Sequence, residues 1–346
     1  MYSVHQHWDP LKVCIVGKSY SPEFYHFIKN DRIRVVFERI ARETEEDFQQ
    51  LITLLESFGV KVLRPIVSDN YLECMNPGEG NILPPPMTPR DYSIMLGTDF
   101  YFKTNHDDSI PGTDWSEVIA DIKLAGNRVL IGLEAAAPEL TNFNSAQSIR
   151  LGKDIYIGSH DLNSGRIETY NRLVDKLPDT YRYTYVDTGG HSDAVLCPVK
   201  PGLIVSLKDI TNYEKTFPGW EVVYLHKQSW WKVRAFLELK QKNNGKWWVP
   251  GEELNDEFTE FVEGWLNHWV GYVEETVFDV NMLVIDQQNV VCNNYNEQVF
   301  DAFERHGITP HIINFRHRYF WDGGLHCITS DVHREGTQQD YFPERG

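Results

Sequence analysis

The amino-acid sequence predicts an α/β protein in which one structural unit recurs. Short runs rich in β-branched and aromatic residues have the length and flanking residues of strands, and helical patterns alternate with them. Two passages, ESFGVKVLRP (56–65) and ERHGITPHIIN (304–314), share one form: a helix end, a glycine and then a β-branched strand. This similarity indicates internal repetition, although the number of units does not follow from the sequence.

Each predicted element rests on a local pattern. In the first long helix one face carries apolar residues at helical spacing, and Gly59 follows as a glycine that ends the helix. Further helices are predicted over 167–177 and 296–306. The predicted strands are 12–16, 60–63, 92–96, 128–131, 183–186, 203–207, 221–224, 282–285 and 311–314.

The stretch 215–272 is rich in tryptophan and looks like an extension of a single domain that spans residues 1–346. A helix from Glu252 is expected to place five residues on one stripe. Core packing is our first interpretation, with a lid over a pocket or an oligomer contact, such as a homodimer interface, as alternatives. The stripe consists of Leu254, Phe258, Phe261, Trp265 and Trp269.

Composition and net charge restrict the classes of partner that the protein can bind. At 346 residues, with 41% hydrophobic and 24% charged residues, the chain is an ordinary globular protein with room for a core. The net charge of −17 argues against a nucleic-acid or anionic-membrane partner. Such a charge is usually a solubility feature; a preference for a cationic or zwitterionic ligand is the alternative. No apolar run approaches the ~20 residues of a membrane span, and no signal peptide is visible.

Cysteine and histidine spacing does not predict a metal site, a cofactor or a disulfide framework. The five cysteines are an odd number without a CxxC pair, and Cys14, Cys197 and Cys292 lie in strand-like runs as small core residues. This usage is typical of a reducing compartment, so we expect a cytoplasmic protein. Four histidines without ligand spacing are expected at the surface: His5, His7, His317 and His333.

Two glycine-flanked segments carry the candidate chemistry. In WDGGLHCITSDVHREG (321–336) a glycine pair precedes His326 and Cys327, which lets the backbone bring the sulfur close to a ligand. In GGHSDAVLCPVKPG (189–202), His191 stands two residues before Asp193. A cysteine nucleophile with a separate acid/base is what covalent catalysis requires, so the sequence predicts a cysteine-dependent enzyme.

With WDPLKVCIVG (8–17), MTPRD (87–91) and FNSAQSIRLGKDIYIG (143–158), these segments resemble the arginine amidinotransferases, best the glycine amidinotransferases. The motifs occur in the family's order from about Trp8 to Tyr341. The resemblance implies the pentein fold, a β/α propeller of five pseudo-repeated ββαβ units around a central active-site channel. It also implies ping-pong transfer of the amidino group of L-arginine, or a related guanidino donor, to a primary amine.

The resemblance also assigns roles to single residues. Cys327 would be the nucleophile and His191 the general acid/base, while Asp91 and Asp193 would hold the guanidinium. Asp91 has a simpler alternative, which is to cap a turn or to pair with its neighbour in sequence. Two further residues complete the predicted substrate-binding set: Arg90, which precedes Asp91, and His326, which precedes Cys327.

Two positions depart from the family pattern. Asn144 stands where the family has the aspartate that orients the histidine. A carboxamide oxygen still fixes an imidazole tautomer but does not stabilise an imidazolium by charge. Glu134 and Asp187 are other acids that we considered for that role. The family's arginine for the substrate α-carboxylate is missing, and residues 208–210 (Lys-Asp-Ile) stand there.

Three hypotheses follow, in decreasing order of support. The first is an amidinotransferase that acts on two small molecules, L-arginine and an acceptor amine, with neither nucleic acid nor membrane as partner. The second is an arginine or agmatine deiminase-like hydrolase, because water in place of the amine would convert transfer into hydrolysis. The third is a catalytically silent pentein used as a binding module.

Overall fold

The computed structural model describes residues 1–68, 84–103, 113–131, 143–159, 162, 164–225, 247–266, 270 and 275–345. Strands and helices alternate along these residues. The α-helices are α1 (Asp31–Ser57), α2 (Ser116–Leu124), α3 (Ser164–Val174), α4 (Tyr213–Thr216), α5 (Asp256–Trp265), α6 (Glu275–Val280), α7 (Glu297–Arg305) and α8 (Arg318–Trp321). The strands are β1 (Leu11–Val16), β2 (Lys61–Leu63), β3 (Ile66–Val67), β4 (Ser93–Leu96), β5 (Asp99–Phe102), β6 (Thr113–Asp114), β7 (Arg128–Ile131), β8 (Ser148–Leu151), β9 (Asp154–Ser159), β10 (Arg182–Asp187), β11 (Leu196–Lys200), β12 (Leu203–Ser206), β13 (Glu221–Tyr224), β14 (Leu283–Asp286), β15 (Asn289–Cys292), β16 (Thr309–Ile312) and β17 (Thr329–Arg334).

The described strands form five three-stranded sheets and one two-stranded sheet, β3-β6. The orders of the larger sheets are β17-β1-β2, β4-β5-β7, β8-β9-β10, β11-β12-β13 and β14-β15-β16. In each, the middle strand pairs antiparallel with one neighbour and parallel with the other. A helix separates the parallel strands in sequence, as a parallel crossover requires. Four of these sheets follow the chain order ββαβ, and the first has the same pairing with its antiparallel strand, β17, supplied from the other end of the described chain.

The first sheet joins the two ends of the described chain. Strand β17, which begins two residues after Cys327, lies antiparallel to β1, with Asp331 opposite Cys14 and Thr329 opposite Val16. The amide of Gly17 also donates to the carbonyl of Ile328 at 2.9 Å. The segment that holds the candidate nucleophile is thereby fixed against the first strand of the chain.

Most predicted elements are confirmed. Every predicted strand coincides with an observed one to within two residues, and helices α1, α3 and α7 occupy the predicted places. Cys14, Cys197 and Cys292 are buried, as expected for core residues. Among the helices of the described residues, none is long and apolar enough to cross a membrane.

The tryptophan-rich stretch differs from its prediction. Helix α5 begins at Asp256, so Leu254 lies before it and is exposed. Phe258 is buried against Phe37 of α1, which confirms the core interpretation for that residue, whereas Trp265 is largely exposed. Three other tryptophans of the stretch lie outside the described residues: Trp230, Trp231 and Trp269.

Two of the four histidines expected at the surface are buried. His7 accepts a hydrogen bond from the Arg150 amide, and His317 pairs with Glu43 at 2.6 Å. Local spacing could not show this, because both partners are distant in sequence.

Candidate active site

Cys327 lies in a tight loop whose backbone is held by one side chain. Asn281, which stands between α6 and β14, accepts the amide N–H groups of His326 and Cys327 through Oδ1, both at 3.0 Å. Its Nδ2 donates to the Cys327 sulfur, also at 3.0 Å. Gly324 is required here because a Cβ at that position would lie 2.7 Å from Asn281 Oδ1. Gly324 thus allows the loop to pack closely against Asn281, and the predicted approach of the sulfur to a ligand stays a prediction.

Asp193 contacts both the thiol and the neighbouring imidazole. It lies in the short 3₁₀ helix Ser192–Ala194 and is only 4% exposed. Its Oδ2 accepts from His326 Nδ1 at 2.9 Å and lies 3.5 Å from the Cys327 sulfur. Burial opposes ionisation, but the His326 hydrogen bond, with His191 and Arg90 nearby, lowers the pKa of Asp193. Its other oxygen, Oδ1, has no hydrogen-bond partner among the described residues.

His326 is the neutral partner of Asp193. It is 8% exposed, and its ring lies 5.8 Å from the His7 ring. Burial and the Arg90 guanidinium lower the pKa of His326 to about 4, despite the Asp193 carboxylate. A neutral imidazole that donates through Nδ1 holds Asp193 in place.

His191 and Asp91 form the second acid–histidine pair. Asp91 ends the 3₁₀ helix Pro89–Asp91, and its Oδ1 lies 3.6 Å from His191 Nδ1. The Asp91 carboxylate raises the pKa of His191 against the effect of burial, with Asp193 and Asp322 adding to it. Burial, partly offset by His191, raises the pKa of Asp91. The geometry therefore favours a protonated imidazole in the site.

The Cys327 thiol is protonated in the site as described. Burial, with Asp193 and Asp91 nearby, raises the pKa of Cys327 well above that of a free thiol, and the hydrogen bonds from Asn281 and the Gly324 backbone only partly oppose this. Because two of the three named influences that raise the pKa are carboxylates, a cation placed between them would favour the thiolate.

Asp322 is a further acid that the sequence analysis missed. It follows α8 in the left-handed region, with φ of 52°, directly before the glycine pair. Its side chain reaches solvent, yet desolvation by the surrounding chain and repulsion from Asp91 raise the pKa of Asp322 to about 7, with His191 opposing. It therefore changes charge near neutrality beside His191.

Arg90 corrects one prediction. We predicted a substrate contact, but its side chain is fully buried behind the Cys327 loop. Its Nε donates to the carbonyls of His326 and Thr329 at 2.9 and 2.8 Å, and one terminal nitrogen contacts Asp331. A guanidinium bound in this way supports the loop from behind and does not face a substrate.

Asn144 also has a different partner from the one predicted. Its Oδ1 accepts the backbone N–H of Gln147 at 3.0 Å, and Asp91 is the group that the structure places beside His191. Asp187 accepts from the amide of Gly189, and Glu134 lies outside the described residues. The described residues include no group of three or more His, Cys, Asp or Glu side chains that could hold a metal ion.

Comparisons with known proteins relate the whole chain to amidinotransferases. No protein-family model matches the chain. The L-arginine:L-lysine amidinotransferase of Pseudomonas savastanoi pv. phaseolicola is 23% identical over 340 residues, 88% of this chain and 81% of that protein. The mitochondrial glycine amidinotransferase of Xenopus tropicalis is 22% identical over 387 residues, 98% of this chain and 84% of that one.

Solved structures show the same likeness in the fold. The inosamine-phosphate amidinotransferase of Streptomyces griseus superposes with a TM-score of 0.66 at 18% identity and covers 99% of both chains. A dimethylarginine dimethylaminohydrolase superposes less well, with a TM-score of 0.52 at 11% identity over 93% of this chain and 99% of that one. Over nearly its whole length, this chain is therefore similar to amidinotransferases in sequence and has their mixed α/β fold.

Proposed function

We propose that this protein is an amidinotransferase that moves the amidino group of L-arginine, or a related guanidino donor, to a primary amine. The observation that carries the proposal is the arrangement around the Cys327 sulfur. Asp193 lies 3.5 Å from the sulfur, and the Asp91–His191 pair is close enough to perturb both. The amidinotransferase relatives support the transfer of an amidino group.

Asp91 and Asp193 are suited to hold a guanidinium. Each has a buried Oδ1 without a hydrogen-bond partner among the described residues. Carboxylates bind the planar guanidinium through paired, charge-assisted hydrogen bonds, which also fix the position of its central carbon over the sulfur. The substrate would thus supply hydrogen-bond donors to both acids and a cation to Asp193, whose bonded partner His326 is neutral.

Binding of the donor would activate the nucleophile. The cation offsets the carboxylates that raise the pKa of Cys327, and the thiol releases its proton to bulk solvent as the donor binds, so that His191 stays protonated. The thiolate sulfur then forms a bond to the guanidino carbon. When the tetrahedral adduct collapses, its bond to the departing amine breaks and His191 donates a proton to that nitrogen. Ornithine leaves, and Cys327 keeps the amidino group as a thioether.

The second half of the cycle reverses these steps with a new amine. The acceptor nitrogen attacks the amidino carbon and gives a proton to His191, and the carbon–sulfur bond breaks to release the guanidino product. Because His191 acts as acid first and base second, one imidazole serves both half-reactions. Exclusion of water from the intermediate decides between transfer and hydrolysis.

Two finer proposals belong to this function. The five sheets of identical pairing support a radial pentein arrangement around a central channel. Four cysteines, Cys14, Cys197, Cys292 and Cys327, are free thiols, which supports a reducing compartment such as the cytoplasm.

Product analysis tests the proposal. The enzyme is incubated with arginine and a panel of primary amines, and ornithine and new guanidino compounds are measured together. With a competent amine, we expect ornithine and the new guanidino compound in equal amounts over many turnovers. Without an amine, we expect only the ornithine of the first turnover. Citrulline and ammonia formed without an amine would instead establish the hydrolase, and no product in any mixture would favour the silent binding module. Cys327→Ala is the matched inactive control.

A further inference from the structure

Asn281 is buried, with none of its surface exposed, and is not part of any motif in the sequence analysis. It nevertheless makes four hydrogen bonds to the residues of the site. Oδ1 accepts from the amides of His326 and Cys327, and Nδ2 donates to the Cys327 sulfur at 3.0 Å and to the Asp193 carbonyl at 3.2 Å. Its side chain therefore joins the nucleophile loop to the segment that carries the substrate-binding acid.

The orientation of this carboxamide is determined by its partners. Oxygen and nitrogen of an asparagine side chain are assigned from the hydrogen bonds they make. Two backbone N–H groups converge on one atom, which must then be the oxygen, and a backbone carbonyl accepts from the other, which must then be the NH₂ group. An N–H bond consequently points at the sulfur.

A second layer holds Asn281 in this orientation. Asn293, also buried, donates from Nδ2 to the Asn281 carbonyl at 2.9 Å and to the Phe278 carbonyl at 2.8 Å. Its Oδ1 accepts from the Leu325 amide at 3.2 Å. Asn293 therefore braces the same loop as Asn281, but none of its hydrogen bonds reaches the sulfur.

We infer that Asn281 is a catalytic residue: its N–H group stabilises the Cys327 thiolate, while its oxygen fixes the loop that aims the sulfur. The inference rests on the proposed function in one respect, the assignment of Cys327 as the nucleophile. The need for such a donor follows from the surroundings, because the sulfur is buried beside carboxylates, and a charged sulfur requires a fixed dipole when water is excluded.

Asn281→Asp tests this inference with a nearly unchanged shape. The carboxylate still accepts from the His326 and Cys327 amides, but it places an oxygen where the N–H faced the sulfur. The measurement is the alkylation rate of Cys327 by iodoacetamide against pH, followed by mass spectrometry of the peptide that contains Cys327. We expect the pH midpoint to rise by about one unit or more, a roughly tenfold slower reaction at pH 7.5.

Asn293→Asp is the matched control. It changes an amide to a carboxylate in the same braced loop, so it is expected to lower thermal stability while the alkylation midpoint stays at the wild-type value. An unchanged midpoint in Asn281→Asp, or equal shifts in both variants, would overturn the role toward the sulfur. If Asn281→Asp does not fold, Asn281→Ser, which is too short to reach the sulfur, replaces it with the same expectation.

This experiment separates the inference from the proposed function. Alkylation needs no arginine and no acceptor, so a wild-type protein that releases no ornithine would refute the proposed function without altering the expected difference between the two variants. Conversely, an active enzyme whose midpoint ignores Asn281→Asp would refute the inference alone.

Discussion

The aspartates around the Cys327 loop differ in how their charge is balanced: buried Asp331 lies on one side, and buried Asp193 with half-buried Asp91 on the other. Asp331 is fully buried and binds Arg90, Arg150 and Arg334 at 3.3, 2.6 and 2.7 Å. Burial opposes ionisation, but these guanidiniums outweigh it and hold the pKa of Asp331 well below its usual range. The protein itself supplies every cation that this carboxylate needs.

The aspartates on the other side lack such partners. Asp193 binds neutral His326, Asp91 lies near His191, and each keeps one oxygen without a hydrogen bond among the described residues. The comparison teaches that burial of an acid is not by itself a sign of function. What distinguishes the site is that its acids face one imidazolium instead of three guanidiniums and keep oxygens without hydrogen bonds, which a substrate guanidinium would fill.

The largest expected effect is a loss of stability on substitution of Asp331, whose charge is balanced by arginines. Asp331→Asn leaves three buried guanidiniums without their carboxylate, so we expect a loss of about 3–5 kcal/mol of unfolding free energy, measured by urea denaturation. Asp340→Asn, which loses partly exposed pairs with Arg182 and Lys153, is the control and is expected to change the free energy of unfolding much less, because solvent screens those pairs. Equal losses in the two variants would contradict the account of the Asp331 cluster.

Asp193→Asn should show the opposite profile. Since Asp193 lacks a cation until substrate binds, its removal should change stability little but lower kcat/KM by about 10²- to 10³-fold. Steady-state kinetics with arginine and thermal melting, run on the same preparation, measure both effects. A variant that unfolds readily while the residual folded fraction keeps full activity would reverse the assignment.

The pH dependence sharpens the comparison further. Carboxylates raise the pKa of His191, so removal of a carboxylate must lower that pKa. In a pH titration upward, the imidazolium of the variant then loses its proton at a lower pH than that of the wild type. We expect Asp91→Asn to lower the His191 pKa, and Asp322→Asn to lower it by less, because Asp91 is the larger cause of the raised pKa. NMR titration measures this, with the His191 resonance assigned by its absence in His191→Gln. A rise in either variant would contradict the stated cause.

Lys208 provides the smallest expected effect. Lys208 is exposed, and its ammonium nitrogen lies 3.6 Å from the position that a Cβ on Gly189 would occupy. Gly189 is two residues before His191 in the sequence. If it attracts the carboxylate of the donor, Lys208→Ala should raise KM for arginine about two- to fivefold at unchanged kcat. Lys215→Ala, another exposed lysine, should leave KM unaltered, and agmatine, which lacks the carboxylate, should be indifferent to both substitutions.

The sequence predicted the parts of the fold that depend on local patterns. Apolar runs and helical spacing located strands such as β1 and helix α7, and a glycine stands between helix and parallel strand in four of the five units, but not between α3 and β10. The sequence analysis did not predict the strands β8 and β9. The repeated form that it recognised, a helix end, a glycine and a strand, does not include the antiparallel strand pair of each unit.

Long-range pairing explains what the sequence could not supply in the site. Asp91 and His191 are 100 residues apart, so only the folded chain shows that Asp91 lies beside the imidazole, while the Asn144 oxygen accepts the backbone N–H of Gln147. The role of Arg90 was also hidden in the sequence, because its hydrogen-bond partners lie far along the chain, in β17 and the Cys327 loop. Asn281 looks like an ordinary polar residue before a strand until Cys327 is placed against it.

The central claim is that the Cys327 sulfur captures the amidino group, and mass spectrometry after incubation with arginine alone tests it most directly. We predict that the peptide containing Cys327 becomes about 42 Da heavier, that one ornithine is released per active site, and that a primary amine then restores the original mass. An unmodified Cys327 peptide in an enzyme that turns over arginine would contradict the claim.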